Sequence, residues 1–336
     1  MTDSATEPLL RVDGLEVELL SARGWVRVID DVSFSVARGE TLGIVGESGS
    51  GKSVTSLAIM GLLEAGRSRT KARRLDFDGE ALLSVSRRRL EDLRGDRIAM
   101  IFQEPMTSLN PAFTIGNQIA ETIRRHRSVS RRQAATRAVE VLDLVGIPDP
   151  ARRASSYPHE LSGGMRQRVM IAMAAACEPA LLIADEPTTA LDVTIQAQIL
   201  DLLKTMNTEL GMAVVLITHD LGVVADLCDR VLVMYAGQVL EQGAASALYA
   251  RPRHPYTDAL LQAMPDLEAT TGSLRSIPGQ APAAGQAPEG CRFSDRCEHA
   301  IERCRATAPP IEHVLDRSVR CLRHDELDLL GTRGRS

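Results

Sequence analysis

Gly46-Glu-Ser-Gly-Ser-Gly51-Lys52-Ser53 is the stretch on which the fold turns. It fits G-x-x-x-x-G-K-S/T, in which successive backbone N–H groups cradle phosphates, the lysine reaches the β- and γ-phosphates and the hydroxyl binds Mg²⁺. Lys52 and Ser53 take those two places, and Gly46, Ser48, Gly49, Ser50 and Gly51 form the cradle. The apolar run Thr41-Leu-Gly-Ile-Val45 before it reads as a buried strand, and a helical pattern follows from Lys52 to Glu64. Strand, loop and helix thus come in the order that phosphate binding requires, with the positive end of the helix facing the anion. A glycine-rich turn capping a helix is the plainer alternative, and the motif alone specifies only a nucleoside triphosphate.

Further along, Ala180-Leu-Leu-Ile-Ala-Asp185-Glu186 is a short apolar run ending in two carboxylates. Asp185 at the end of a buried strand suits the Mg²⁺ of a phosphate-loop enzyme. Glu186 beside it is placed to orient or deprotonate a water, which favours hydrolysis over transfer to another acceptor. Between the two lies Leu161-Ser162-Gly163-Gly164-Met165-Arg166-Gln167, a Ser-Gly-Gly turn before an apolar-periodic run, readable as a second anion-binding helix N-terminus. Gln103, Asp192 and His219 each follow or open an element; singly they fit a loop amide, a helix cap and a core histidine.

Alternating residues over Leu10–Leu20 and Trp25–Val36 suggest antiparallel strands, Met212–Ile217 a buried parallel strand, and 229–243 a hairpin turning at Ala236-Gly237. Residues of about 104–166 are polar, Arg-rich and helical in pattern, like an inserted subdomain. The Pro-, Gly-, Ala- and Gln-rich stretch 265–288 reads as a linker. These elements give an α/β chain with three parts: a nucleotide-binding domain over 1–245, a helical extension and linker over 246–290, and a C-terminal module over 291–336.

With 336 residues, 44% apolar and 25% charged, the chain has the composition of a globular protein with room for a large domain and an appendage. It has no run of roughly 18 apolar residues, and its first residues lack a signal-peptide pattern, so the expected location is cytosolic. A net charge of -5 disfavours general nucleic-acid binding. The basic runs Arg87–Arg89 and Arg124–Arg132 read as solvated surface. Of the 6 cysteines, Cys177 and Cys228 read as small buried hydrophobes, whereas Cys291, Cys297, Cys304 and Cys321 crowd the tail. In a reducing compartment that crowding points to a metal or iron–sulfur site, with unrelated thiols as the plainer alternative.

The order of these motifs resembles the ATP-binding cassette (ABC) family over roughly residues 8–265. The resemblance implies a P-loop NTPase (RecA-like) core with an N-terminal antiparallel β-subdomain, an inserted helical signature subdomain and a small Cys-rich C-terminal module. It implies Gln103 as the Q-loop residue, contributing to the Mg²⁺ site, Asp192 as the D-loop residue and His219 as the switch histidine. It also implies that ATP lies between the phosphate loop of one subunit and Ser162, Gly163 and Gly164 of another. Met165 stands where the commoner signature has glutamine. Trp25 is the aromatic candidate for stacking on adenine, with a core tryptophan as the other reading.

Longer strings, Tyr157–Val169, Gln103–Pro111, His254-Pro-Tyr-Thr257 and Cys291-x-Phe-x-x-Arg296-Cys297-x-x-Ala300-x-x-x-Cys304, look like the oligopeptide, dipeptide and nickel importer ATPases of bacteria. That resemblance implies an ATPase at the cytoplasmic face of the membrane. Its expected partners are a second related ATPase, two multispanning permeases and an extracytoplasmic binding protein. Peptide is the expected cargo, with nickel or another small solute as the alternative and a nucleic-acid or ribosome ATPase as the different class. The four tail cysteines are expected to hold a 4Fe–4S cluster, with Zn²⁺ as the alternative.

Overall fold

The computed structural model describes residues 7–103, 108–189, 191–264 and 276–332. Residues 104–107 of the Gln103–Pro111 string, Ala190 before Leu191 and residues 265–275 of the expected linker lie outside them. In chain order the strands are β1 (Leu10–Ser21), β2 (Gly24–Val36), β3 (Thr41–Val45), β4 (Ser68–Lys71), β5 (Arg74–Phe77), β6 (Glu80–Ala81) and β7 (Ile98–Ile101). They continue with β8 (Leu181–Asp185), β9 (Ala213–Ile217), β10 (Arg230–Tyr235), β11 (Gln238–Ala244), β12 (Glu312–Val314) and β13 (Arg317–Val319). The described residues form two compact units, one within 37–40 and 84–215, the other within 7–36, 41–83 and 216–332.

In the second unit, β1 and β2 form the expected antiparallel pair, from Leu10 opposite Val36 to Ser21 opposite Gly24. Leu10, Val12, Leu15 and Val17 of β1 and Ile29, Val32, Phe34 and Val36 of β2 are buried, as a sheet with one packed face requires. β4 and β5 join the other edge of β1, and β6 pairs with β5. The sequence pattern does not announce these short strands. Ser68-Arg-Thr-Lys71 has no apolar alternation, and its strand character comes from pairing with β1.

Every residue of β3 is buried, and β10 lies parallel beside it, with Arg230 opposite Leu42 and Val233 opposite Val45. The hairpin from β10 to β11 turns at Ala236 and Gly237, whose φ values of 45° and 82° are what a tight turn between twisted strands needs. β11 then pairs with β13, and β13 with β12. Where the sequence suggests a tail on a tether, the cysteine-bearing stretch continues the same hydrogen-bonded ladder. The helix that opens at Lys52 closes at Ile59 rather than Glu64, and Gly61 just beyond it is left-handed, φ 59°.

In the first unit, β7 and β8 run parallel, with Ile98 opposite Leu181 and Ile101 opposite Ala184. The Ala213 N–H at the head of β9 donates to the Ala180 carbonyl at 2.9 Å. Helices Ile115–His126, Arg131–Leu144, Pro150–Arg153 and Gly163–Ala175 lie between β7 and β8 in sequence. Thr114 caps the first, and Ser130 with Gln133 forms a capping box on the second. Ile115, Ile119 and Ile123 face inward, as do Ala134, Ala138, Val141 and Leu142. Arg124 and Arg125 lie in the last helical turn, where cations complement the helix dipole. Among the described residues, no helix is long and apolar enough to cross a membrane.

Candidate functional site

The phosphate loop leaves the buried end of β3 through glycines that no other residue could replace cheaply. Gly46 has φ 151°, and a Cβ there would stand 2.1 Å from the Met234 carbonyl oxygen. Gly51 has φ 104°, and a Cβ there would meet Ile29 Cδ1 at 2.5 Å. The Ser50 N–H closes the loop on the Glu47 carbonyl at 3.1 Å. Lys52 is 5% exposed, and its Nζ donates to the carbonyls of Gly46 at 2.7 Å and Glu47 at 3.0 Å. Gly51 opens the helix without a side-chain cap, so the first-turn N–H groups can serve an anion. Ser53 is in that first turn.

His219 belongs to the same unit, just beyond the end of β9. The Thr218 N–H donates to the Ile44 carbonyl at 3.2 Å, and Asp220 caps the helix Leu221–Leu227 with its Oδ1. Flanked by these two anchored residues, His219 is exposed rather than a core histidine. Trp25 sits opposite Leu20 near the tip of the β1–β2 hairpin. The Arg69 guanidinium lies 3.9 Å from its ring centroid, so one ring face is already taken by a cation.

In the first unit, parallel pairing brings the ends of β7 and β8 together, and with them Gln103 and Glu186. The Gln103 Nε2 donates to Glu186 Oε2 at 3.0 Å, and the Thr189 hydroxyl donates to the same oxygen at 2.9 Å. Asp185, the last residue of β8, is 4% exposed. Glu186 has φ 47°, a left-handed conformation uncommon for a non-glycine residue. Ser162 caps the helix Gly163–Ala175, accepting from the Met165 N–H at 3.3 Å, and a Cβ on Gly163 would meet nothing within 4 Å. Gly164 is different, because a Cβ there would stand 2.9 Å from Ile195 Cγ2. The Gln167 amide donates to the Pro187 carbonyl at the short limit of a hydrogen bond, linking this helix to the loop after Glu186. Asp192 caps the helix Val193–Leu210, accepting from the Ile195 N–H at 2.9 Å, so in the single chain its carboxylate has the helix-cap role.

The four tail cysteines line one narrow cavity together with His254 and Ser294. Burial pushes the Cys291 thiol up, that of Cys297 to about 11 and that of Cys321 to about 12. Among the described residues, no three His, Cys, Asp or Glu side chains stand close enough to hold a metal ion. The ready metal-ligand set expected from the sequence, whether for a cluster or for zinc, is therefore not formed here. Cys228 is elsewhere, packed where a Cβ on Gly43 would be 3.0 Å from its sulfur, with its thiol pushed up to about 12 by burial. Cys177 is also buried. Two contacts have no sequence signal of their own: the Thr189 hydroxyl on Glu186, and an arginine of the cysteine module on Glu47. Arg296 belongs to the Cys291–Cys304 string, but nothing in its spacing names a partner.

The ABC transporter family profile matches residues 29–189, and the profile of the oligopeptide/dipeptide transporter C-terminal region matches 240–304. The chain is 52% identical over 324 residues to the dipeptide transport ATP-binding protein DppD of Escherichia coli K12, covering 96% of this chain and 98% of that one. It is 49% identical over 316 residues to a putative peptide import ATP-binding protein of Brucella melitensis, covering 94% and 95%. Among solved structures, it resembles the dimeric ATP-binding cassette MJ0796 in a post-hydrolysis state bound to ADP and Pi, at 28% identity and TM-score 0.62 over 70% of this chain and 98% of that one. It also resembles cbiO1 of Clostridium perfringens, part of the ABC transporter complex cbiONQ, at 28% identity and TM-score 0.61 over 72% and 90%.

Proposed function

Because the chain belongs to the ABC transporter family, we propose that it is the ATP-hydrolysing subunit of a peptide importer. The observation that carries the hydrolytic part is the Gln103–Glu186 hydrogen bond at the paired ends of β7 and β8. It fixes a carboxylate directly after the buried Asp185. The identity of about half of all residues, over nearly the full chains, to named dipeptide and peptide import subunits supports the cargo.

In this reading, backbone N–H groups of Gly46–Gly51 and the Lys52 ammonium hold the β- and γ-phosphates. Ser53, Asp185 and Gln103 supply the oxygen donors that suit Mg²⁺, which neutralises phosphate charge when bound. Glu186 positions or deprotonates the attacking water, and His219 contacts the γ-phosphate. Ser162, Gly163 and Gly164 bind the nucleotide of a partner ATPase, with Asp192 at the same junction. With Arg69 on one face of its ring, Trp25 would stack on adenine through the other.

The expected assembly pairs this chain with a second related ATPase beneath two multispanning permeases at the cytoplasmic face, with an extracytoplasmic binding protein delivering cargo. Copurification tests it: two multispanning proteins and a peptide-binding protein support the reading, whereas ribosomes or DNA as the sole companions sink it. For Cys291, Cys297, Cys304 and Cys321 we propose a structural 4Fe–4S cluster, supported by four thiols that line one cavity, which its assembly would have to draw closer together than they stand here. Anaerobic purification should yield a brown protein with about four irons per chain. Colourless protein with one zinc or no metal overturns that assignment.

A further inference from the structure

The cysteine module grips the nucleotide-binding part of its own unit through arginines. Arg292 pairs with Asp30, Arg317 with Glu241 at 3.6 Å and Arg320 with Asp31 at 3.5 Å. A fourth, Arg296, reaches the phosphate loop itself. Its Nη1 donates to Glu47 Oε2 at 2.8 Å and its Nη2 to Glu47 Oε1 at 3.1 Å, a two-pronged ion pair in which the arginine side chain is only 7% exposed. Nη1 also donates to the Tyr235 hydroxyl at 3.2 Å, and Nε donates to the Pro278 carbonyl at 2.8 Å. The guanidinium is thereby fixed at all three of its nitrogens.

Glu47 is the second residue of the loop, and it is held at every polar group it owns. Its N–H donates to the Tyr256 hydroxyl at 3.0 Å. Its carbonyl accepts from Lys52 Nζ at 3.0 Å and from the Ser50 N–H at 3.1 Å. Tyr235 and Tyr256 are fully buried and meet edge to face at 4.7 Å, with Phe293 of the module against both at 5.4 and 5.2 Å. Gly46, Gly49 and Gly51, each at positive φ, make the loop conformationally permissive. A loop built that way needs an outside grip to keep its N–H groups converged, and Glu47 is where the grip is applied. The pair also neutralises a carboxylate that would otherwise stand within the loop that receives phosphates.

We propose that Arg296 is a positioning residue for ATP binding: by holding Glu47 it keeps the phosphate loop in the form that accepts the nucleotide. The proposal rests on the reading of Gly46–Ser53 as the ATP loop. Arg296 ends the short turn Ser294–Arg296 and directly precedes Cys297, so the order of the cysteine module reaches the nucleotide through one side chain.

The test is a double-mutant cycle on the full chain, reading the dissociation constant of a fluorescent ATP analogue with Mg²⁺. Arg296→Gln leaves Glu47 unpaired and should weaken binding about tenfold, in line with loss of a charge-assisted hydrogen bond. Glu47→Gln added to it should cause no further loss, because the two side chains act as one. Arg296→Lys should recover part of the affinity, since it keeps the charge but not the fork. In the assembled transporter, the KM for ATP should rise in Arg296→Gln while kcat stays within about twofold, a split that mere destabilisation does not produce. Should Arg296→Gln fail to fold by its thermal transition, Arg296→Lys and Glu47→Gln carry the same comparison. Affinity within about twofold of wild type in folded Arg296→Gln, or losses that multiply in the double variant, overturns the proposal. Lys52→Ala is the separate control: if it binds ATP as wild type does, the reading of the loop fails and this inference falls with it.

Discussion

Glu186 occupies a left-handed backbone conformation at φ 47°, which costs roughly 1–2 kcal/mol for a residue with a Cβ. The chain sustains it where β8 ends, and two donors converge on a single carboxylate oxygen there. Glu186→Gln keeps the size and one acceptor but removes the proposed base. Turnover by the assembled transporter should fall ~10² to 10⁴-fold, while ATP binding stays within about threefold of wild type. Near wild-type turnover would remove Glu186 from its role. The two carboxylates are legible in the sequence because an acidic pair after an apolar strand is a local pattern. Their donors are legible unequally: Gln103 has a place in the order of motifs, whereas Thr189 is three residues from Glu186, a separation that names no contact until the backbone turns.

At the scale of elements, runs buried on both faces announce themselves. β3 has the limits that its sequence implies, Thr41–Val45, and the strands at 181–185 and 213–217 match their apolar runs to within a residue or so, because nearly every position there is apolar and all are covered. β4 and β13 are illegible in the same way of reading, since Ser68–Lys71 and Arg317–Val319 take their strand character from distant partners. The β11–β13 pairing also makes a prediction. A chain ending near residue 290 would leave β11 unpaired on that side and Glu241, 0% exposed, without Arg317. Open strand edges favour association. Such a truncation should lower the thermal transition and aggregate in size-exclusion chromatography; a truncated chain that stays monomeric with an unchanged transition would show that the ladder contributes little.

For the whole molecule, the Ser162-Gly163 turn is exposed, and the space beside Gly163 is unobstructed in the single chain. If it completes a nucleotide site on another subunit, the isolated protein should hydrolyse ATP slowly, and turnover per chain should rise with concentration or on adding the partner ATPase. Full activity in a strictly monomeric sample would contradict a shared site. The contact between Arg292 and Asp30 spans 262 residues of sequence, and that between Arg296 and Glu47 spans 249. A ribosome adding roughly 5–20 residues per second releases Glu47 about 10 to 50 s before the arginine that holds it. The phosphate loop thus emerges early and is completed last, so through most of its own synthesis the nascent chain carries its nucleotide loop without the clasp.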